Sequence, residues 1–332
     1  MSETVRLTPA VLAVIARECT VFFDRFTEEN EPLSEMPNSP RLFHGRGQCF
    51  PLCAFINIDL FFPVIFVSSY ESLSDREIEE LSALLWDMSR CYGIEAIAVQ
   101  LRGDKKALIR PAKGCMPERH YAMGNGMKFS LDVSDKQNIG FFMDMVPGHK
   151  WLLDRAADKR VLNLFAYTCA FSVAAIKGGA AGVVNIDKSR PALNRGLLNH
   201  RLNKVSTDKV RFLAHDIFSS VGKIARMGPY DIVIIDPPTF QKGSFILQKD
   251  YQRLLRQLGK WMASECDVLA CVNSPGVEES FLVDLFYDVF NVESGFKSDF
   301  VGRVPNRDDF PEKFEQRNVK ILHFRLSASH GD

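Results

Sequence analysis

Two stretches carry residues whose types and spacing could do chemistry. Asp236-Pro237-Pro238-Thr239-Phe240 follows an apolar run, Ile232-Val233-Ile234-Ile235. Two prolines stiffen the turn and remove two N–H donors. The carbonyls and the Asp236 carboxylate are left as acceptors suited to an amino group or ring N–H of a planar base. Phe240 offers a face on which an unstacked base can stack. Asp236, Pro237 and Pro238 are therefore the candidate catalytic residues, with Thr239 and Phe240 as substrate-binding ones. A rigid loop that merely stops a strand is the competing reading. The second stretch is Asn163-Leu164-Phe165-Ala166-Tyr167-Thr168, followed by Asp187 and Lys188 and later by Asp216 and Ile217. An acid about 20 residues after such a turn can accept both hydroxyls of a ribose. Lys188 can flank an adenine, Asp216 can accept its amino group, and Ile217 can pack on its ring. Taken singly, each acid is also an ordinary strand end or helix cap.

These residues need a scaffold that gathers strand ends. Residues 161–165, 183–187, 210–214, 231–235 and 267–272 read as strands, and 170–178, 189–203, 217–226, 250–264 and 277–289 as helices. A final strand at 320–326 adds a late β pair at the edge. Strands alternating with helices make βαβ units, and an open parallel sheet binds ligands at its carboxyl ends. The turn at 163–168 opens a helix, whose free N–H groups and positive end suit a carboxylate or phosphate. It lacks Gly-x-Gly, which disfavours a dinucleotide. The expected class is α/β: a Rossmann-like doubly wound sheet over 141–332 that holds S-adenosylmethionine, preceded by a smaller N-terminal α+β domain over 1–140 that could recognise substrate. In that first part a helix is expected at 11–26, with Thr8 as cap and Pro9 in its first turn. An acidic, turn-rich segment at 27–40 follows, then one or two strands within 52–67 and an amphipathic helix within 72–93 that ends at Gly93. Short strands are expected at 94–100, 106–110, 127–133 and 140–143.

The 332 residues, 46% apolar and 25% charged, suffice for two domains with sizeable cores. Basic and acidic residues number 41 each, so the net charge is zero. That argues against a chain held to nucleic acid by overall charge, though not against a local basic groove. Lys105, Lys106, Arg110 and Lys113 form one candidate cluster; Arg195, Arg201 and Lys204 form another. The eight cysteines include no Cys-x-x-Cys and no companion His cluster, so no metal site is expected. They suit a reducing, cytoplasmic compartment. No apolar run is long enough to span a bilayer, and the N-terminus does not read as a signal peptide. No membrane partner is expected, and a homodimer is allowed.

Residues 162–187 together with 231–240 resemble the class I methyltransferases that modify large-subunit ribosomal RNA, a group with Asn-Leu-Phe-x-Tyr-Thr and Asp-Pro-Pro-x-Phe motifs. That group includes enzymes making 7-methylguanosine and enzymes making 5-methylcytidine. Met127-Lys128-Phe129 through Gly140-Phe141-Phe142-Met143-Asp144 resembles the segment before its catalytic domain, so the likeness covers residues 120–275. The resemblance implies that Asn163, Phe165, Ala166, Tyr167 and Thr168 line the methionine half of the cofactor, with Phe142 and Asp144 against it. Asp187 and Lys188 would hold ribose and adenine, Asp216 and Ile217 would complete the adenine pocket, and residues 236–240 would face the target base. It also implies ribosomal RNA as the partner. Two departures stand out. Cys169 replaces the usual Gly and is expected to crowd the methionine half. Met145-Val146 replaces Gln-Arg, so an Arg contact is missing unless His149 or Lys150 supplies it.

Transfer to cytosine C5 needs a Cys nucleophile. The 5-methylcytidine relatives carry Ser-Cys-Ser after the fifth strand, where this chain has Val272-Asn273-Ser274. Asn273 takes the Cys place as a substrate-binding residue, and Cys271 lies deeper. Guanine N7 has its own lone pair and needs only alignment and charge stabilisation. A ring or exocyclic nitrogen, guanine N7 first, is therefore favoured. The alternatives are a protein or small-molecule N-methyltransferase and a non-catalytic cofactor- or RNA-binding protein. A polar loop at 303–310 could cover the substrate.

Overall fold

The computed structural model describes residues 6–29, 32–102, 107–134, 137–241, 245–292 and 295–328. Lys105 and Lys106, with the expected start of a strand at 106, lie outside them. The chain divides into two units, Met1–Met143 with Arg307–Phe314 and Asp144–Asn306 with Glu315–Asp332.

The first unit is built on a five-stranded sheet in the order β1 (Arg41–His44), β2 (Ile56–Phe61), β3 (Val64–Ser69), β4 (Ala96–Arg102), β5 (Ala107–Gly114). Only β3 and β4 run parallel, with α2 (Asp75–Ser89) between them in sequence. α1 (Pro9–Glu29) starts where Thr8 accepts the Val11 N–H, and packs on α2 and β1. Ile15, Cys19, Ile58, Val67, Leu81, Leu85 and Ile97 close the core. α2 opens on a capping box between Ser74 and Glu77. Buried Glu77 also accepts the N–H groups of Arg6 (2.6 Å) and Leu7 (2.9 Å). Burial opposes its charge, but the backbone donors from Leu7, Ser74 and Arg6 prevail and hold its carboxyl at about 2. Such a group stabilises the fold fully above its unfolded pKa, and the gain is lost as pH falls toward 2. Glu77→Gln is therefore expected to cost about 2–3 kcal/mol at pH 7 and little at pH 2, as urea unfolding at the two pH values would show.

The expected strands at 127–133 and 140–143 are corrected. A hairpin pairs β6 (Tyr121–Gly124) with β7 (Met127–Ser130) through Asn125-Gly126, both at positive φ. That is the primed turn that Asn-Gly favours. Residues 140–142 form no strand. Phe141 instead stacks on Phe129 at 4.5 Å, and Met143–Met145 forms a 3₁₀ turn.

Arg307–Phe314, expected within the second domain, belongs to the first unit. Asp309 accepts the Arg41 N–H at 2.8 Å, Glu312 meets His44 Nε2 at 3.2 Å, and the Lys313 N–H donates to the Gly47 carbonyl at 2.8 Å. The Arg41 guanidinium lies 4.1 Å over Phe310.

The second unit holds α3 (Val146–Leu153), β8 (Arg160–Leu164), α4 (Ala170–Lys177), β9 (Gly182–Asp187), α5 (Arg190–Leu202), β10 (Val210–Ala214), α6 (Val221–Met227) and β11 (Tyr230–Ile235). A two-residue pair, β12 (Phe240–Gln241) with β13 (Phe245–Ile246), precedes α7 (Leu247–Leu258), β14 (Met262–Val272), α8 (Glu279–Phe286), β15 (Phe296–Arg303) and β16 (Lys320–Ala328). The sheet order is β10-β9-β8-β11-β14-β16-β15. The first five strands are parallel, and β16 and β15 are antiparallel to their neighbours. Alternation sends Leu162, Ile186, Val233 and Ile235 into one buried layer and Val161, Val183, Ile232 and Ile234 into the other. The doubly wound expectation holds.

Three details differ. The helix expected at 250–264 ends at Leu258, and residues from Met262 join a longer β14 that pairs with β16. α3 and β15 were not anticipated. β15 alternates charged and apolar side chains at an edge, and the Asn291 amide covers Ser298 there by accepting its N–H at 2.6 Å and donating to its carbonyl at 3.3 Å. Covered edges resist pairing with other chains.

Candidate active site

The chain leaves β8 toward β9 and β10, then returns to start β11 on the other side of β8. Leu164 and Ile235 are partners across this switch point. The turn after β8 and the Asp-Pro-Pro turn after β11 therefore lie side by side, where open sheets bind ligands.

The turn after β8 has an unusual backbone. Phe165 (φ 56°), Tyr167 (φ 45°) and Cys169 (φ 60°) are left-handed, while Ala166 and Thr168 between them are not. Such alternation curls the chain into a tight hollow, and the N–H groups of Ala166, Tyr167 and Cys169 are taken up by acceptors within the protein. Three strained residues persist only if neighbours over-determine them. Here the Ala166 N–H donates to Ile186 O (3.0 Å), the Tyr167 N–H to Asp187 Oδ2 (2.9 Å), and Asn199 Nδ2 to Thr168 O (2.9 Å). Asp187 Oδ1 accepts the Ser189 N–H at 2.7 Å. Burial raises the Asp187 carboxyl above its ordinary value, against the pull of those two N–H groups. Lys188 Nζ lies 3.9 Å from Asp216 Oδ2, and Ile217 is buried beside them.

Asn163 does not line the hollow. It is 1% exposed and starts a buried relay. Its amide donates to Asn185 Oδ1 (2.8 Å), Asn185 donates to Ser172 Oγ (2.9 Å), and Ser172 Oγ lies 3.0 Å from His200 Nε2. His200 Nδ1 must donate to Gly196 O at 2.8 Å, and in the neutral ring Nε2 then accepts from Ser172 Oγ. Burial holds its pKa down. Asn199 and His200 of α5 thus brace the turn. Sequence reading missed both, although two polar residues on an inward helix face were a usable signal.

Cys169 does not crowd the hollow as expected. Its side chain is fully buried against Ala166 and Leu193, and Gly196 makes the room for it. A Cβ on Gly196 would fall 2.5 Å from Cys169 Sγ. Gly196→Ala should destabilise the protein by about 1–3 kcal/mol. Adding Cys169→Gly, which also relieves the positive φ, should recover most of the loss; a thermal-melt double-mutant cycle reads the coupling.

Asp236 is partly buried at the end of β11. Burial first, then the neighbouring Asp144 carboxylate, push its carboxyl up to about 7. Asn273 Nδ2 donates to Asp144 Oδ2 at 3.4 Å, and Thr239 Oγ1 donates to Asn273 O at 3.1 Å. Asp144, Asp236, Thr239 and Asn273 are therefore brought together. Pro237 is buried, Pro238 exposed and Phe240 64% exposed. Lys320, also missed in sequence, is buried and donates to Ser274 O (3.3 Å) and Gln316 O, fixing the segment after Asn273. Phe142 belongs to the first unit, where it is partly exposed.

Neither substitute for the missing Arg qualifies. Burial drives His149 down to about 3, so it is neutral, and it packs edge-on to Phe171 at 4.5 Å. Lys150 pairs with Asp154 at 2.7 Å. The thiols of the second unit, Cys169, Cys266 and Cys271, are all buried, and burial raises the pKa of each. Among the described residues no group of acids, His and Cys could hold a metal, and no helix is long and apolar enough to cross a membrane.

A family model of S-adenosylmethionine-dependent methyltransferases matches residues 40–325. The chain belongs to that family. This methyltransferase is 37% identical over 209 residues to ribosomal RNA large subunit methyltransferase I of Photobacterium profundum, covering 62% of this chain and 50% of that one. Against ribosomal RNA large subunit methyltransferase K/L of Pseudoalteromonas translucida, identity is 28% over 267 residues, covering 79% and 36%. The methyltransferase thus spans about half or less of the length of these curated relatives. Among solved structures, a Streptococcus mutans protein described as a SAM-dependent methyltransferase superposes with a TM-score of 0.81 at 24% identity, covering 95% of this chain and 81% of that one. At that identity the likeness speaks for the fold alone.

Proposed function

We propose that this methyltransferase modifies a ring or exocyclic nitrogen of a ribosomal RNA base, with guanine N7 the leading target. The names of the relatives support ribosomal RNA. The site fits the cofactor part by part. The turn leads into the N-terminus of α4, whose first N–H groups suit a carboxylate, Asp187 offers acceptors to ribose hydroxyls, and Lys188, Asp216 and Ile217 offer a rimmed apolar seat to adenine. S-adenosylmethionine supplies an electrophilic methyl group on a sulfonium. The chain supplies alignment and charge. Asp236 accepts from an N–H of the base and stabilises positive charge developing on the ring; at an exocyclic amine it takes the departing proton. Phe240 stacks on the base, and Asn273 and Thr239 hold its edge.

One observation carries the choice of nitrogen. Cys271 is buried in β14 and accepts from Tyr251 through its carbonyl at 3.4 Å, while Asn273 sits beside Asp144. No thiol of this unit reaches its surface. Nucleoside analysis of unmodified large-subunit ribosomal RNA after incubation with enzyme and labelled cofactor tests the reading. Label on a purine nitrogen is expected, and 5-methylcytidine as sole product would sink it. Cys271→Ala should leave the rate nearly unchanged, whereas loss of a covalent nucleophile costs several orders of magnitude.

A further inference from the structure

Several basic side chains of the first unit have acidic partners. Arg110 meets Asp75 and Lys113 meets Glu79, each at 3.2 Å, so α2 neutralises the described part of the cluster picked out from sequence. Arg41 is held by Asp59, and Arg6 by Glu71. Arg46 and Arg102 are different. Among the described residues neither has a carboxylate within ion-pair reach; both lie on Tyr70 instead. The guanidinium carbons stand 4.1 Å (Arg46) and 5.0 Å (Arg102) from the ring centre. Arg102 donates to the Tyr70 hydroxyl (3.3 Å), to Gln137 Oε1 (3.0 Å) and to Asn138 Oδ1 (3.4 Å). These acceptors are neutral. They aim the guanidinium and leave its charge uncompensated.

Arg46 is aimed by its backbone. It sits in the 3₁₀ turn Gly45–Gly47, and its N–H donates to Asn57 Oδ1 at 3.1 Å. A Cβ on Gly45 would fall 2.0 Å from the Cys53 carbonyl oxygen, and one on Gly47 1.9 Å from that of Pro311. The Gly-Arg-Gly turn is thus seated hard against its neighbours on both sides, while its one side chain stays exposed.

We infer that Arg46, Tyr70 and Arg102 form a contact site for the sugar-phosphate backbone of a single RNA strand, an inference that rests on the ribosomal RNA reading above. Two planar forks held around one ring can each take a phosphate oxygen pair, and their outer faces can stack on bases. Arg46→Gln/Arg102→Gln in the full chain, titrated against fluorescein-labelled oligouridylate by anisotropy, tests it. Dissociation constants should rise about 10-fold, and the log–log salt slope should become shallower by about 0.7 for each phosphate that the variant no longer neutralises. KM for ribosomal RNA should rise while kcat and cofactor affinity hold. The single change Arg46→Gln, which removes no side-chain hydrogen bond of the fold, should show part of the same slope change. Wild type and both variants binding alike with one salt slope would overturn the patch and leave the RNA reading standing. A wild-type protein that binds no RNA and methylates something else would overturn both.

Discussion

Asp236→Asn should lower methyl transfer by about 10²–10⁴-fold with cofactor affinity nearly unchanged. The Asn keeps shape and hydrogen bonding but cannot carry the negative charge that either nitrogen chemistry requires. In the wild type, burial and Asp144 place the Asp236 pKa at about 7, so the active carboxylate form should grow as pH rises through neutrality. A rate profile that is flat between pH 5.5 and 8.5, in roughly the window around that value, would remove Asp236 from this role. The same raised pKa works against stability. The folded state holds the proton more tightly than the unfolded chain, so the penalty grows from about pH 4 to about pH 7 and is constant above. Asp236→Asn should therefore stabilise the protein at pH 8 by on the order of 2–4 kcal/mol, with little effect near pH 4. Calorimetry at the two pH values would show whether the dead variant melts higher only at the upper one.

Asp187→Ala should weaken S-adenosylmethionine binding by about 100-fold or more. On the proposed reading one carboxylate does two jobs: it takes the ribose hydroxyls, and it already accepts the N–H groups of Tyr167 and Ser189. Hydrogen bonds to a charged group are worth about 1.5–3 kcal/mol each, and losing the Tyr167 clamp also frees a left-handed residue in the hollow. Titration calorimetry on the folded variant measures it. Micromolar affinity retained by Asp187→Ala would place the cofactor elsewhere. His200→Ala, which cuts the relay behind the turn without touching the hollow, should weaken binding less and leave kcat at saturating cofactor nearly intact.

The second unit was largely legible in the sequence because its strands are buried on both faces. Runs such as Ile232–Ile235 admit one reading, and the acids that matter stand at strand ends that the topology gathers. What escaped depended on partners far away in the chain. β15 is charged on alternate positions because it is an edge. The run at 140–143 looked like a strand, yet its aromatic ring serves Phe129. Asn163 matched a motif and so was assigned to the cofactor, whereas its amide faces Asn185 inside the sheet. Cys169 looked like a defect until Gly196, in a different helix, showed where its side chain goes. The hairpin at Asn125-Gly126 was missed for a simpler reason. Its turn signal was in plain sight, but the flanking strands are only four residues long.

The membership of Arg307–Phe314 in the first unit bears on how the protein is made. A ribosome delivers the chain from its N-terminus, and domains ordinarily fold as they emerge. Here Arg41 and His44 wait for Asp309 and Glu312, a separation of 268 residues. The first unit is begun before the central sheet and finished only after that sheet through β15 has been synthesised. Nascent chains halted before Arg307 should therefore carry a first unit that proteases open more readily than the completed one. The five parallel strands are all present at that stage and can pair, whereas β15 waits for β16, which lies between it and β14.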